Sequence, residues 1–206
     1  MPKIFCIGAN KTGTTSLLEF FRSNGFTCGD QAKGERLFVR CGEPDYSKAL
    51  VKFAETADFF QDLPFSATGT WEVLNRAFPD ALFVMTKRTS ADEWYRSLTE
   101  FHAEKFGDGQ RAPTARQLQK ATYRYPGFMW DANRALYGSP ANNPYRKDDL
   151  IAWYEKHLSD ARLYFNVKNN YLEIEIGDPD AGKKIADFVG FAPRVPILPH
   201  LNRSTE

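Results

Sequence analysis

The stretch Ile4 to Leu18, IFCIGANKTGTTSLL, constrains this chain more than any other. A short apolar run, Ile4-Phe5-Cys6-Ile7, stops at Gly8. The polar loop Ala9-Asn10-Lys11-Thr12-Gly13-Thr14-Thr15-Ser16 follows, and then Leu17, Leu18, Phe20 and Phe21 recur at helical spacing. The pattern predicts a buried strand, a glycine-bounded loop and a helix N-terminus. The first N–H groups of a helix have no partner within it, and the helix dipole adds partial positive charge there. A phosphate or sulfate suits such a place. The spacing Gly8-x-x-x-x-Gly13 matches the first half of the phosphate loop G-x-x-x-x-G-K-[ST], but the second half fails. Thr14 stands where the lysine of a nucleoside triphosphatase would reach the β- and γ-phosphates, and this loop carries its lysine earlier, at Lys11. Such a loop suits a single phosphoester group better than a triphosphate with its metal.

A second stretch adds to the first. Ala81 to Arg88, ALFVMTKR, is an apolar strand that ends on basic residues, and Ser97 follows Arg88 by nine positions within Trp94-Tyr95-Arg96-Ser97-Leu98. Lys11 to Leu17 resembles the 5′-phosphosulfate loop, K/R-[ST]-G-T-[ST]-[LS], of the sulfotransferases that use 3′-phosphoadenosine 5′-phosphosulfate (PAPS). Phe78-Pro79-Asp80 to Leu98 is similar to the FPxxxFxxTxR…WYxSL pattern of soluble, bacterial-type members. With Asp62-Leu63-Pro64 and the closing Pro199-His200-x-Asn202, the resemblance runs from residue 4 to 203. One departure is Arg88-Thr89, where the family often has R-D; a capping acid is lost and the phosphate ligand is kept.

Composition narrows the partners. The chain has 206 residues, 42% hydrophobic and 26% charged, enough for one domain with a sizeable core. A net charge of +1 provides no global field to draw in nucleic acid or a membrane, so any anion site must be local. Cys6, Cys28 and Cys41 lack metal-ligand spacing, which favours a reduced, cytoplasmic setting and no metal site. The sequence opens on a strand, without a signal segment or a run of about 18 apolar residues.

Strands are expected at 4–7, 26–28, 57–62, 82–86 and 171–176. Helices are expected after Gly13, in parts of 33–52 with a break at 42–44, and at 71–78, 91–106, 150–164 and 181–189. Residues 107–147, rich in Gly, Pro, Asn and aromatics, show no clean period and read as an irregular, partly helical insertion over the sheet's carboxyl edge. A connection of that length favours a functional lid. Alternating strands and helices predict an α/β, three-layer fold with a mostly parallel central sheet flanked by helices, forming a single domain over residues 1–206. Ligands of such sheets bind beyond the carboxyl ends of the strands.

The resemblance implies a sulfotransferase that moves a sulfuryl group from PAPS to a hydroxyl or amine of a small-molecule or carbohydrate acceptor. It implies that Lys11 touches the bridging oxygen, and that Thr12, Gly13, Thr14, Thr15 and Ser16 hold the 5′-phosphate. Arg88 and Ser97 would hold the 3′-phosphate, with Asn202 or Arg203 of the tail folding back on it. An arginine fork suits phosphate because it binds two oxygens at once. Trp94 reads as core rather than as an adenine stack. Three residues are candidates for the base that activates the acceptor: Asp62 at a strand end, Asp30 after the second strand, and His102 on a helix. His200 is a fourth, in the tail. A carboxylate needs desolvation to reach a useful pKa, whereas in the plainer alternatives Asp62 and Asp30 cap turns and His102 is a surface residue. The aromatics of 101–145 can line an acceptor pocket, although packing the insertion on the body explains most of them. Two rival functions are a nucleotide kinase-like enzyme and a non-catalytic nucleotide-binding relative. The sequence does not specify the oligomeric state.

Overall fold

Side-chain alternation in the first strand sets the layers. In the computed structural model, which describes residues 2–199, β1 (Ile4–Cys6) sends Ile4 and Cys6 into one apolar cluster and Phe5, with Ile7 just beyond, into another. All four are fully buried, which is why the run reads as continuously apolar rather than alternating. β2 (Phe59–Phe60) and β3 (Leu82–Lys87) flank β1, and β4 (Tyr171–Glu175) pairs with β3. All pairs are parallel, in the order β2-β1-β3-β4. The chain moves from β1 to one neighbour and later to the other, so a crevice opens between the segments leaving β1 and β3.

Nine helices flank the sheet among the described residues. One face packs α1 (Thr14–Ser23) and α9 (Ala181–Val189) through Leu17, Phe20, Phe21 and Ile185. The other face carries α2 (Gln31–Phe38), α3 (Tyr46–Ala54), α4 (Thr70–Ala77), α5 (Ala91–Phe106), α6 (Ala115–Lys120), α7 (Phe128–Tyr137) and α8 (Lys147–Phe165). The α/β class, the parallel sheet and the two helical layers agree with the sequence reading. The 107–147 segment is partly helical, as expected, and holds α6 and α7.

Two expected strands come out shorter. Phe26–Cys28 reduces to one parallel bridge between Cys28 and Phe59, because the chain turns away at Gly29, where a Cβ would meet the Phe60 ring at 2.2 Å. The 57–62 strand keeps only Phe59 and Phe60, since Asp62 takes a left-handed backbone (φ 60°) that ends any ladder.

The first loop is held against β3 at close quarters. A Cβ on Gly8 would lie 2.1 Å from Thr86 Oγ1 and 2.5 Å from the Thr86 carbonyl oxygen. Thr12 Oγ1 lies 2.7 Å from Thr86 Oγ1 and donates to the Ala9 carbonyl at 2.5 Å. From α8, His157 Nε2–H donates to the Ile7 carbonyl at 2.7 Å, which leaves Nδ1 to accept from the Thr68 hydroxyl at 2.8 Å. Gly8→Ala is expected to lower unfolding free energy by about 1–3 kcal/mol, since an added methyl must push backbone aside. Urea denaturation checks this; an unchanged midpoint would contradict the contact.

Candidate active site

The loop after β1 opens onto a cavity of about 260 Å³ at the carboxyl edge of the sheet. Gly13, the N-cap of α1, has φ 85° and supplies no side-chain cap, and the first turn of α1 holds no acid. The helix therefore meets the cavity with uncapped N–H groups and positive dipole. Gly13, Thr14 and Thr15 line the cavity. Lys11 also lines it and holds a left-handed backbone (φ 67°), a conformation that costs a non-glycine residue about a kilocalorie or more per mole. That turn lays its ammonium 3.7 Å from the Phe101 ring centroid. Burial, and then the neighbouring Arg88, lower the Lys11 pKa to about 8.

Arg88, just past β3, faces Lys11 across the crevice. Its Nε donates to the Lys11 carbonyl at 2.9 Å, Nη1 to Glu93 at 3.0 Å and Nη2 to Ser97 Oγ at 3.2 Å. Ser97, expected beside Arg88 as a 3′-phosphate ligand, is buried and accepts from the Arg88 guanidinium, so the structure brings the two side chains together. Of five guanidinium N–H groups, these bonds engage three and leave two for an anion. Trp94 is fully buried, stacks on Tyr154 at 4.5 Å and donates its Nε1–H to the Asn10 carbonyl at 3.0 Å, so it braces the loop from within. The Tyr137 hydroxyl donates to Asn10 Oδ1 at 2.7 Å.

The opposite wall is acidic. Asp62 accepts from the Leu63 N–H at 2.9 Å and from Gln31 Nε2 at 3.2 Å. Burial, and then the Glu35 carboxylate, raise its pKa to about 6, against the Leu63 N–H, Lys11 and Arg124. Asp62 is therefore ionised at neutral pH yet accepts a proton readily. His102 also lines the cavity, with Nδ1 2.6 Å from the Tyr145 hydroxyl. Burial and Lys11 lower its pKa to about 3, which makes it a much weaker proton acceptor near neutrality. Phe101, Phe106, Tyr123, Phe128 and Met129 form the apolar wall, three of them from the 107–147 segment.

Other sequence expectations fall elsewhere. Asp30 lies outside the cavity: exposed, it caps α2 by accepting from the Lys33 N–H at 3.1 Å, so geometry gives it the plainer capping role. Thr12 is fully buried beneath the loop with its hydroxyl already engaged, so it holds the loop's shape rather than facing a ligand. Ser16 is buried in the first turn of α1. His200, Asn202 and Arg203 lie outside the described residues. Sequence reasoning missed Gln31, Glu35 and Arg124. Glu35 is buried on α2 and pairs with Arg124 of the 107–147 segment. The available signal was weak: Gln31 and Glu35 sit four apart, one helical turn, just after a strand end.

A family model described as a sulfotransferase domain matches residues 3–206, nearly the whole chain. No curated protein matches the chain.

The imidazoles of His102 and His157 are both buried, and burial lowers the His157 pKa to about 4. Both are expected to stay neutral from pH 7.5 to roughly 5. Ring-nitrogen NMR across that range checks this, and a midpoint near the ordinary 6.5 at either residue would contradict it.

Proposed function

This chain belongs to the sulfotransferase family, and we propose that it moves a sulfuryl group from PAPS to a hydroxyl or amine of a small-molecule or carbohydrate acceptor. The observation that carries the reading is the facing pair of cations, Lys11 on the β1 loop and Arg88 beyond β3, with an ionisable acid across the same cavity. The donor set fits the two phosphates of PAPS. At one end are the α1 N-terminus, which Gly13 leaves without a side-chain cap, and the Thr14 and Thr15 side chains, which line the cavity. At the other are the two N–H groups that Arg88 has left. Thr12 then acts by shaping the loop, and Asn202 and Arg203 stay in the proposal as tail ligands on the resemblance alone. A cytoplasmic setting is part of the reading, on the cysteine pattern.

Bound there, PAPS would supply the sulfuryl group and a phosphate leaving group. The chain's own contribution is electrostatic placement and one proton transfer. Lys11 presents a partly buried ammonium where negative charge would grow on the 5′-phosphate side. Asp62 takes the acceptor's proton. Asp30 is set aside as base by its exposed capping position, and His102 by its low basicity. The signs agree: Asp62 is a carboxylate above about pH 6, and Lys11 is protonated below about pH 8, so both are in working form between those values. The apolar wall of Phe101, Phe106, Tyr123, Phe128 and Met129 gives an acceptor a flat surface to lie on.

Calorimetric titration with adenosine 3′,5′-bisphosphate in EDTA tests the reading. Arg88→Ala is expected to weaken binding by roughly tenfold or more and to erase preference over adenosine 5′-monophosphate. Lys11→Ala is expected to lower turnover of PAPS, with phenolic or sugar acceptors, by about a hundredfold and to affect affinity much less. Binding only of magnesium nucleoside triphosphate, or equal losses of affinity in both variants, would overturn the assignment.

A further inference from the structure

Six side chains lock the acidic wall to the 107–147 segment. Gln31 Nε2 donates both to Glu35 Oε1 at 2.9 Å and to Asp62 Oδ2 at 3.2 Å. Gln61 Nε2 donates to Gln31 Oε1 at 3.1 Å, so only this orientation of the Gln31 amide satisfies all three bonds. One amide thus holds two carboxylates side by side. Glu35, with its side chain 6% exposed, needs a countercharge. Arg124 supplies it, pairing through Nε with Glu35 Oε2. Arg124 is itself gripped by α2, since Arg36 Nη2 donates to its carbonyl at 3.3 Å. The guanidinium carbon lies 4.2 Å from the ring centroid of Tyr123, a residue of the cavity wall.

We propose that Glu35, Gln31 and Arg124 are positioning residues that make the proton affinity of Asp62 depend on the docking of the 107–147 segment. The proposal rests on Asp62 as the base. Gln31 fixes the carboxylate pair, Glu35 holds a second negative charge beside Asp62, and Arg124 cancels part of that charge when the segment is in place. The same segment contributes Tyr123, Phe128 and Met129 to the acceptor wall. Completion of the acceptor pocket and readiness of the base are then one event. With burial unchanged, loss of the Arg124 charge leaves Glu35 uncompensated and favours a proton on Asp62.

Besides Glu35 and Arg124, the titratable groups coupled to Asp62 are Lys11 of the loop, Tyr123, Tyr137 of α7 and Cys6 of β1. Burial raises both tyrosines and brings Cys6 to about 11, so all three stay neutral over the range of the test. Lys11 stays charged below about pH 8.

The test is carboxyl carbon NMR of Asp62 in the ligand-free protein between pH 4 and 8, with circular dichroism as a check on folding. Glu35→Gln keeps the shape and removes the charge, so the Asp62 midpoint is expected to fall by about half a unit or more from its wild-type value near 6. Arg124→Gln is expected to raise it by a smaller amount, and the double variant to lie between the two. In activity, the acid limb of kcat/KM should move in the same order. A folded Glu35→Gln protein with an unmoved Asp62 midpoint, or both variants shifting the same way, would reduce the cluster to a structural staple and overturn the proposal. Because the carboxyl titration needs no substrate, it can succeed or fail independently of sulfuryl transfer.

Discussion

The contact on which the rest depends is the approach of the β1 exit to Thr86 of β3. Gly8 permits it, since any side chain would collide with the Thr86 backbone, and the Thr12 hydroxyl ties the loop to the same threonine. That contact sets where Lys11, Gly13 and α1 begin. It also sets their separation from Arg88, which follows Thr86 by two residues on the same strand end. A small shift at Gly8 would therefore move the two cations relative to each other. Trp94, Tyr137 and His157 bear on the same segment from three different helices, so a polar loop is fixed by a largely apolar surround.

On that frame the cavity is built with opposed charge. Lys11 and Arg88 follow β1 and β3, and Asp62, which Gln31 links to Glu35, follows β2. Burial makes both working groups easier to neutralise: it lowers the Lys11 ammonium and raises the Asp62 carboxyl toward neutrality. In the proposed transfer, a leaving phosphate would use the first charge and an acceptor proton the second. Their shared low-dielectric setting strengthens each interaction compared with a solvated surface. The left-handed backbones of Lys11 and Asp62, at φ 67° and φ 60°, show that both are held by their surroundings rather than by local preference.

The sheet, the β1 loop and the Arg88–Ser97 pair were legible because each rests on local pattern: an apolar run, a glycine spacing, an arginine at a strand end and a serine on the helix that follows. α5 and α9 match their expected bounds for the same reason. The acidic wall was only partly legible. Asp62 announced itself as a strand-end acid, but its bond to Gln31 leads on to Glu35 and so to Arg124, which lies 89 positions from Glu35. No periodicity encodes such a contact. Asp30 was a fair candidate by position, and what set it aside was the direction of its side chain, which serves the α2 N-terminus. Thr12 fits the motif in sequence, yet its hydroxyl turns inward to Thr86, a choice that depends on strand neighbours and not on the loop itself.

The central claim is that one chain presents two separate phosphate sites to one nucleotide without a metal. Phosphorus NMR of adenosine 3′,5′-bisphosphate, titrated with the protein in EDTA, reads both sites at once. The account predicts that the 3′ and 5′ resonances both shift and saturate together, and that Arg88→Ala removes most of the 3′ response while the 5′ response persists at higher protein concentration. A shift at the 5′-phosphate alone in the wild-type protein, or none until magnesium is added, would contradict it.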